Sequence, residues 1–264
     1  MHTVDHLYIY PIKGFSPHEV VSAYAGDIGF NGDRRFMLVD DDNTFVTART
    51  LHQLLQCKSE INDAQITIDV QNNRQTFDIK DNGPSMVARI WDDYTRVQIV
   101  NEDINTWLSE RFDKRVNLVK MADDSARVHE SKNIDITLNV TLADAYPFQI
   151  LGTESINHLA KLLQHTVNPL RFRPNIIVST TKAHEEDQWK ILRIGEVVLE
   201  RVKTCVRCNI INIDPLSGAS DSAISKTLAG YRNFNKGIEF GVYFKVKQKG
   251  TIRQNDEVEV MDVG

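Results

Sequence analysis

Cysteine is scarce in this chain of 264 residues, with three in all. They stand at Cys57, Cys205 and Cys208. So few thiols exclude a disulfide framework and point to a reducing compartment. No apolar run approaches the roughly 20 residues needed to span a bilayer. The opening stretch, MHTVDHLYIYPIKG, lacks a basic segment followed by an apolar one, so no secretory signal is expected. An excess of positive charge is also missing: 31 Lys and Arg against 36 Asp and Glu leave a net charge of −5. That balance argues against bulk electrostatic binding to nucleic acid or to an anionic membrane. Gly and Pro number only 13 and 7, and 41% of residues are hydrophobic. No segment reads as disordered, and the chain is long enough for one large or two ordinary cores. The expectation is a cytoplasmic globular protein with no nucleic-acid and no membrane partner.

What is present reads as many short strands and few helices. Val4–Ile9 is β-rich and stops at Pro11. The segments 34–39 and 44–47 flank the turn cluster Asp40-Asp41-Asp42-Asn43 and read as a hairpin. Strands follow at 66–70, 75–79 and 86–90, punctuated by Asn72-Asn73 and Asn82-Gly83-Pro84. Short helices are expected over 51–57 and 103–112, the latter from Ile104, Leu108 and Phe112 at four-residue spacing. The polar stretch 121–137 lacks either period and reads as a loop at a domain boundary or over a site. After a strand at 147–151, Thr153 offers a cap and Glu154 a first-turn carboxylate. The helix they open carries Ile156, Leu159, Leu162 and Leu163 on one face. Strands are expected at 175–178, 194–202, 209–213, 241–246 and 256–261. A helix over 221–229 would end at Gly230. This is mainly β with some helices, and barrel-like.

The segment Glu200–Gly218 concentrates the chemistry. Cys205 and Cys208 lie three apart, beside Lys203 and Arg207, and cations of this kind favour a thiolate. A thioredoxin-type pair opens a helix, whereas the residues after Cys208, Asn-Ile-Ile-Asn-Ile-Asp-Pro, are β-branched and run into proline. A structural zinc site needs four protein ligands, and no second pair is at hand. Two readings stay open: both cysteines are small apolar strand residues, or one thiolate ligates a metal that brings its other ligands with it. Anionic groups on such a cofactor call for Lys, Arg and backbone N–H donors. Lys13, Arg35, Arg49, Arg171 and Arg173 are candidates. On a regular strand the odd offset would turn Cys205 away from Cys208, so Cys205 is expected to be structural unless a bulge intervenes.

Six stretches in order, Tyr10-Pro-Ile-Lys-Gly14, Asp33-Arg-Arg-Phe36, Val46-Thr-Ala-Arg49, Phe172-Arg-Pro-Asn175, Cys205-Val-Arg-Cys208 with Asp214-Pro215 and Gly218, and Phe240-Gly-Val-Tyr-Phe244, resemble the MOSC family. Within it the chain resembles bacterial relatives of the mitochondrial amidoxime-reducing component. The resemblance implies an amino-terminal β-rich MOSC domain over 1–120, packed on a MOSC β-barrel domain over 121–264. A cleft between them would hold the molybdenum cofactor, molybdopterin with Mo. By motif, Cys208 would be the metal ligand and the catalytic centre. Lys13 and the Gly14 amide would hold the cofactor's phosphate end with Arg35 opposite. Arg173 and Asn175 would contact pterin or phosphate, and Tyr243 would close the pocket. Asp144 would supply a pterin hydrogen bond. Many relatives carry Ser where Gly14 stands, which leaves Ser16 as a candidate replacement hydroxyl. The implied activity is a molybdenum-dependent reduction of small N-hydroxylated substrates: hydroxylamines, amidoximes or hydroxylated base analogues. A separate ferredoxin-like or flavoprotein donor would supply the electrons. The alternative is a carrier of persulfide sulfur or of the cofactor itself.

Overall fold

The computed structural model describes residues 1–80, 83–122, 125–131, 136–234 and 237–263. Contacts divide the chain into two units that interleave along the sequence. One comprises Met1–Ile9, His18–Asn31 and Tyr146–Gly264; the other, Tyr10–Pro17 and Gly32–Ala145. The first passage between them falls after Ile9, where the strand ends just ahead of Pro11, a residue that cannot donate to a strand ladder.

The first unit is built on a closed sheet of seven strands. Its order is Phe148–Gly152, Ile176–Val178, His2–Ile9, Glu257–Val263, Trp189–Ile194, Val197–Val206 and Gly237–Gln248, which pairs back with Phe148–Gly152. Alternating inward residues make the interior: Val4, Phe148, Ile150, Leu192, Leu199, Val242, Phe244 and Val258 are all buried together. Phe30 meets Phe148 edge-on with ring centroids 5.0 Å apart. A second apolar layer joins the helices Thr153–Leu163 and Ala223–Arg232 through Leu159, Phe172, Ile211, Ile224, Leu228 and Phe240.

In the other unit, a four-stranded antiparallel sheet runs in the order Phe36–Val39, Asn117–Met121, Asp93–Ile99, Ser85–Ile90. Met37, Val39, Ala88, Ile90, Val97, Val119 and Leu142 form its core. A three-stranded sheet, Lys58–Ile61, Gln65–Val70 and Asn73–Asp78, and the helix Glu102–Phe112 complete the unit with the hairpin Arg127–Ser131 and Ile136–Val140. Asn101 caps that helix by accepting the Asp103 N–H at 2.8 Å.

Several expected elements differ. The stretch 194–202 is not one strand: Trp189–Ile194 and Val197–Val206 form a hairpin that turns at Gly195, where φ is +56°. Residues 209–213 form a short 3-10 turn, Asn209–Asn212, instead of a strand. The helix expected to stop at Gly230 runs on to Arg232, and Gly230 lies inside it facing open space. Thr153 does not cap its helix. Its hydroxyl accepts the Thr180 N–H, and the Glu186 carboxylate serves Gly152 N and Ser155 Oγ instead. Leu162 is exposed, because at six positions from Ile156 it lies about 120° round the helix from that residue, while Leu163, seven positions on, returns to the face of Ile156 and Leu159. The supposed loop 121–137 contains a strand, Arg127–Ser131. The hairpin at 34–47 reduces to the strand Phe36–Val39 and one bridge, Val39 to Phe45. Asn82, part of one expected turn, lies outside the described residues. Among the described residues no helix is long and apolar enough to cross a membrane.

Candidate functional site

In the unit holding Tyr10–Pro17, the chain after Pro11 runs alongside Phe36, where Lys13 N donates to Phe36 O at 2.7 Å. Gly14 follows with φ +91°, a conformation that L side chains rarely adopt. Ser16, the candidate replacement hydroxyl, is committed elsewhere: its Oγ donates to Leu55 O at 2.6 Å.

Lys13 is buried, and its Nζ lies 2.5 Å from Asp144 Oδ1. Burial pushes the ammonium down to about 8, helped by Arg127 and Arg34 and opposed by Asp144. Desolvation by its packed neighbours also disfavours the Asp144 carboxylate, although the side chain keeps one side to solvent. Lys13, Arg49 and Arg34 together outweigh that and hold the carboxyl well below the usual range. The same Oδ1 accepts the indole N–H of Trp91 at 3.2 Å. Arg49 stacks over the Trp91 ring at 4.2 Å, and Lys13 Nζ stands 5.1 Å from the Phe45 ring. Arg34 pairs with Asp33 at 2.5 Å and lies over the buried Tyr10 ring at 4.2 Å. Arg127, wholly buried, pairs with Asp93 and donates to Ala143 O at 2.5 Å. Four cations thus gather around one carboxylate. Arg35 takes another direction: its guanidinium donates to Ala122 O at 3.1 Å and to Met121 Sδ at 3.3 Å.

In the unit with the closed sheet, Cys205 is buried and Cys208 half-buried, both as free thiols. Pairing between Val197–Val206 and Gly237–Gln248 slips between Thr204 and Val206, so a bulge does intervene at Cys205. Burial pushes the Cys205 thiol up against the pull of Arg207 and Tyr243. Cys208 sits past the strand end, at the start of the turn Asn209–Asn212. Arg207 ties this corner together. Its Nη1 donates to Phe172 O at 3.1 Å and to Gln149 Oε1 at 3.3 Å. Gln149 is the register partner of Tyr243, and its carbonyl accepts Asn175 N at 2.9 Å. Asn175 is buried, with Nδ2 donating to Tyr8 O at 3.2 Å and Oδ1 accepting Gln149 N at 3.3 Å. Arg173 follows the turn Pro169–Phe172 with φ +55°. Tyr243 packs on Tyr146, ring centroids 5.0 Å apart. Arg171 is engaged with Asp214 at 2.7 Å. Cys57 is buried, its thiol pushed up to about 12 by burial and Asp69, as befits an apolar packing residue.

Arg207, Gln149, Asn175 and Tyr243 therefore share one neighbourhood, which Cys208 and Arg173 adjoin along the chain, and Lys13, Gly14 and Asp144 share another. Sequence reasoning did not single out Trp91, Arg127 or Gln149. A signal existed for Trp91 alone: a large aromatic in the Ile90–Asp93 turn, where small residues are the rule. Arg207 Nε and Nη2 and Gln149 Nε2 are buried donors with no partner among the described residues. Such groups ordinarily find an acceptor. A donor set of this kind, next to a half-buried thiol, fits an acceptor-rich cofactor. Among the described residues no three His, Cys, Asp or Glu could hold a metal ion by themselves.

A mostly β protein with a seven-stranded barrel, a thiol corner and a cation cluster defines the class. Residues 1–115 match the MOSC N-terminal beta barrel domain and residues 137–259 the MOSC domain. The chain belongs to the MOSC family. It is 27% identical to mitochondrial amidoxime-reducing component 1 of Mus musculus, across 98% of this chain and 82% of that protein. Against the molybdenum cofactor sulfurase of Caenorhabditis elegans identity is also 27%, across 92% of this chain but only 33% of that longer protein. The YuaD protein from Bacillus subtilis superposes with a TM-score of 0.45 at 11% identity, covering 98% of this chain and 94% of that one. The family membership carries an association with the molybdenum cofactor.

Proposed function

We propose that the chain is a molybdenum-cofactor reductase of N-hydroxylated compounds. The observation that carries this reading is the contrast between the two thiols: Cys205 is buried, while Cys208 is half-buried and directly follows Arg207, whose Nε and Nη2 find no acceptor among the described residues. Bound there, the cofactor would supply oxygen-atom abstraction from an N–O bond, so that R–NHOH, two electrons and two protons give R–NH2 and water. Cys208 contributes the thiolate that anchors the metal. Arg207 and Gln149 present N–H groups to acceptor atoms, and Arg173 adds positive charge to that corner. Asn175 holds the Tyr8 and Gln149 backbones in place, and Tyr243 keeps Cys205 in its bulge. In the other unit, Lys13 and the Gly14 amide are the donors for a phosphate. A separate redox protein would deliver the electrons, and the relatives named as amidoxime-reducing components support the substrate class. We keep a cytoplasmic location as part of the same proposal.

A second reading, a carrier of persulfide sulfur or of the cofactor, uses the same Cys208 thiol and is favoured by the likeness to part of a cofactor sulfurase. Protein made in cells that synthesise the cofactor separates the two. Molybdenum and pterin near one per chain, lost together with hydroxylamine reduction in Cys208→Ser, support the reductase. Labile sulfur without metal supports the carrier. Retained molybdenum and activity in Cys208→Ser would overturn the ligand assignment.

A further inference from the structure

Trp91 begins the two-residue turn between Ser85–Ile90 and Asp93–Ile99, where Ile90 pairs with Asp93. Its φ is +56°. A bulky residue in that region is a conformational outlier, and such strain persists only where the surroundings hold it and clusters at ligand sites. Four contacts hold Trp91. Its carbonyl accepts Arg89 Nε at 2.9 Å, and its indole N–H donates to Asp144 at 3.2 Å. Phe45 meets the ring edge-on at 4.6 Å, and the Arg49 guanidinium lies 4.2 Å from its centroid. Despite them the residue is 37% exposed. A hydrophobic purpose would have buried it, and a turn would have been better served by glycine or asparagine.

The indole and the Lys13 ammonium meet at one atom, Asp144 Oδ1. Lys13 is read as a donor for an anion, and the Asp144 side chain that it shares with the indole is 52% exposed. Beside it, an exposed guanidinium stacked on an exposed indole offers flat cationic and aromatic surface. Planar rings stack on both kinds of surface.

We propose that Trp91 and Arg49 form a shelf for the flat heteroaromatic ring of a ligand whose phosphate is held at Lys13. The inference rests on the reading of Lys13 as a phosphate donor. It adds that the same place discriminates ring phosphates from other phosphates. The pterin of a bound cofactor and a nucleotide-like compound share this chemistry.

Full-length protein made without cofactor synthesis is titrated with adenosine 5′-monophosphate, ribose 5-phosphate and inorganic phosphate. Acrylamide quenching of tryptophan emission reports on Trp91, since Trp107 and Trp189 are only 8% and 3% exposed. Adenosine monophosphate should bind about tenfold more tightly than ribose 5-phosphate, the scale of one stacked base, and should shield the emission. Trp91→Leu should reduce its affinity to the ribose 5-phosphate value, and Trp91→Phe should retain most of the advantage. Thermal melts of both variants verify that they fold. Equal affinities for the two phosphates, no binding of either, or an advantage that survives Trp91→Leu would overturn the inference. Cofactor-loaded protein then names the source: exclusion of adenosine monophosphate means the pterin uses the shelf, and continued binding means a separate ring phosphate does. Both results sustain the shelf. The titration contains no metal, so failure of the Cys208 assignment leaves it readable.

Discussion

If Lys13 holds a ligand's phosphate, as proposed, retention of that ligand should depend on pH in a way that a surface lysine would not produce. Its ammonium is pushed down to about 8, first by burial. A group with that value is about 90% protonated at pH 7 and about 10% at pH 9. Neutral lysine cannot pair with a phosphate, and the phosphate itself is already doubly ionised across this range, with its second pKa near 6. Affinity should therefore fall about tenfold from pH 7 to pH 9, with a limiting slope of one proton. Lys13→Arg should abolish the slope, because guanidinium stays charged throughout. Lys13→Met should remove a charge-assisted hydrogen bond, about 1.5–3 kcal/mol, or roughly ten- to hundredfold in affinity at pH 7. The assay is cofactor-loaded protein dialysed at stepped pH, with molybdenum and pterin counted on both sides of the membrane. A flat profile in the wild type, or the same slope in Lys13→Arg, would refute the assignment of Lys13.

Cys205→Ala should lower stability by about 1 kcal/mol through lost packing yet leave molybdenum stoichiometry intact, in contrast to Cys208→Ser. Equal loss of metal in both variants would mean that Cys205 also binds it. Glu186 is fully buried and serves Gly152 N at 3.2 Å and Ser155 Oγ at 2.7 Å. Glu186→Ala leaves both donors orphaned at a helix start, for a loss of about 3 kcal/mol in urea unfolding, and Glu186→Gln should lose clearly less. His184 is lowered from 6.5 to about 4 by burial, with Arg232 and His158 adding to it. The native state thus favours the neutral ring. Its contribution is complete above pH 6.5 and disappears as pH falls toward 4, at most about 3 kcal/mol. His184→Asn, which suits the left-handed backbone there, should flatten that stretch of the stability curve.

Strand-rich segments with turn residues at their ends were legible because alternation and punctuation are local. The strands at 66–70 and 86–90 and the helix from Ile104 to Phe112 appear within a residue or two of expectation. Elements decided by distant contacts were not. Asn209–Asn212 carries two β-branched residues but pairs with no strand among the described residues, and it coils into a 3-10 turn. Thr153 looked like a cap, yet the carboxylate that serves the helix start comes from Glu186, over thirty residues away. Lys13, Gly14, Arg173 and Cys208 were readable as ordered motifs. Trp91 and Arg127 were not, because a lone tryptophan and an arginine in a polar stretch carry no local pattern. Arg127 acquires meaning only when its strand places it against Asp93 and the Ala143 carbonyl.

The backbone makes the same distinction without reference to motifs. Ten non-glycine residues among those described have positive φ. Asn43, Asn72 and Asn255 are of the type that tolerates it, and Asp113 and Gln164 close helices. Gln71 shares its turn with Asn72, and His184 precedes the turn Glu185–Gln188. Arg34, Trp91 and Arg173 remain, at φ +48°, +56° and +55°. These are long or bulky side chains with no preference for that region, and all three belong to the two clusters described above. Gly14, at φ +91°, adjoins Lys13, and Gly241, at φ +79°, lies where the pairing slips opposite Cys205. The interior, with Val4, Ile150, Leu199 and Phe244 in regular ladders, breaks no such rule. Strain that core packing does not require, gathered at the cations and the thiol, is what a scaffold under selection for ligand geometry accumulates.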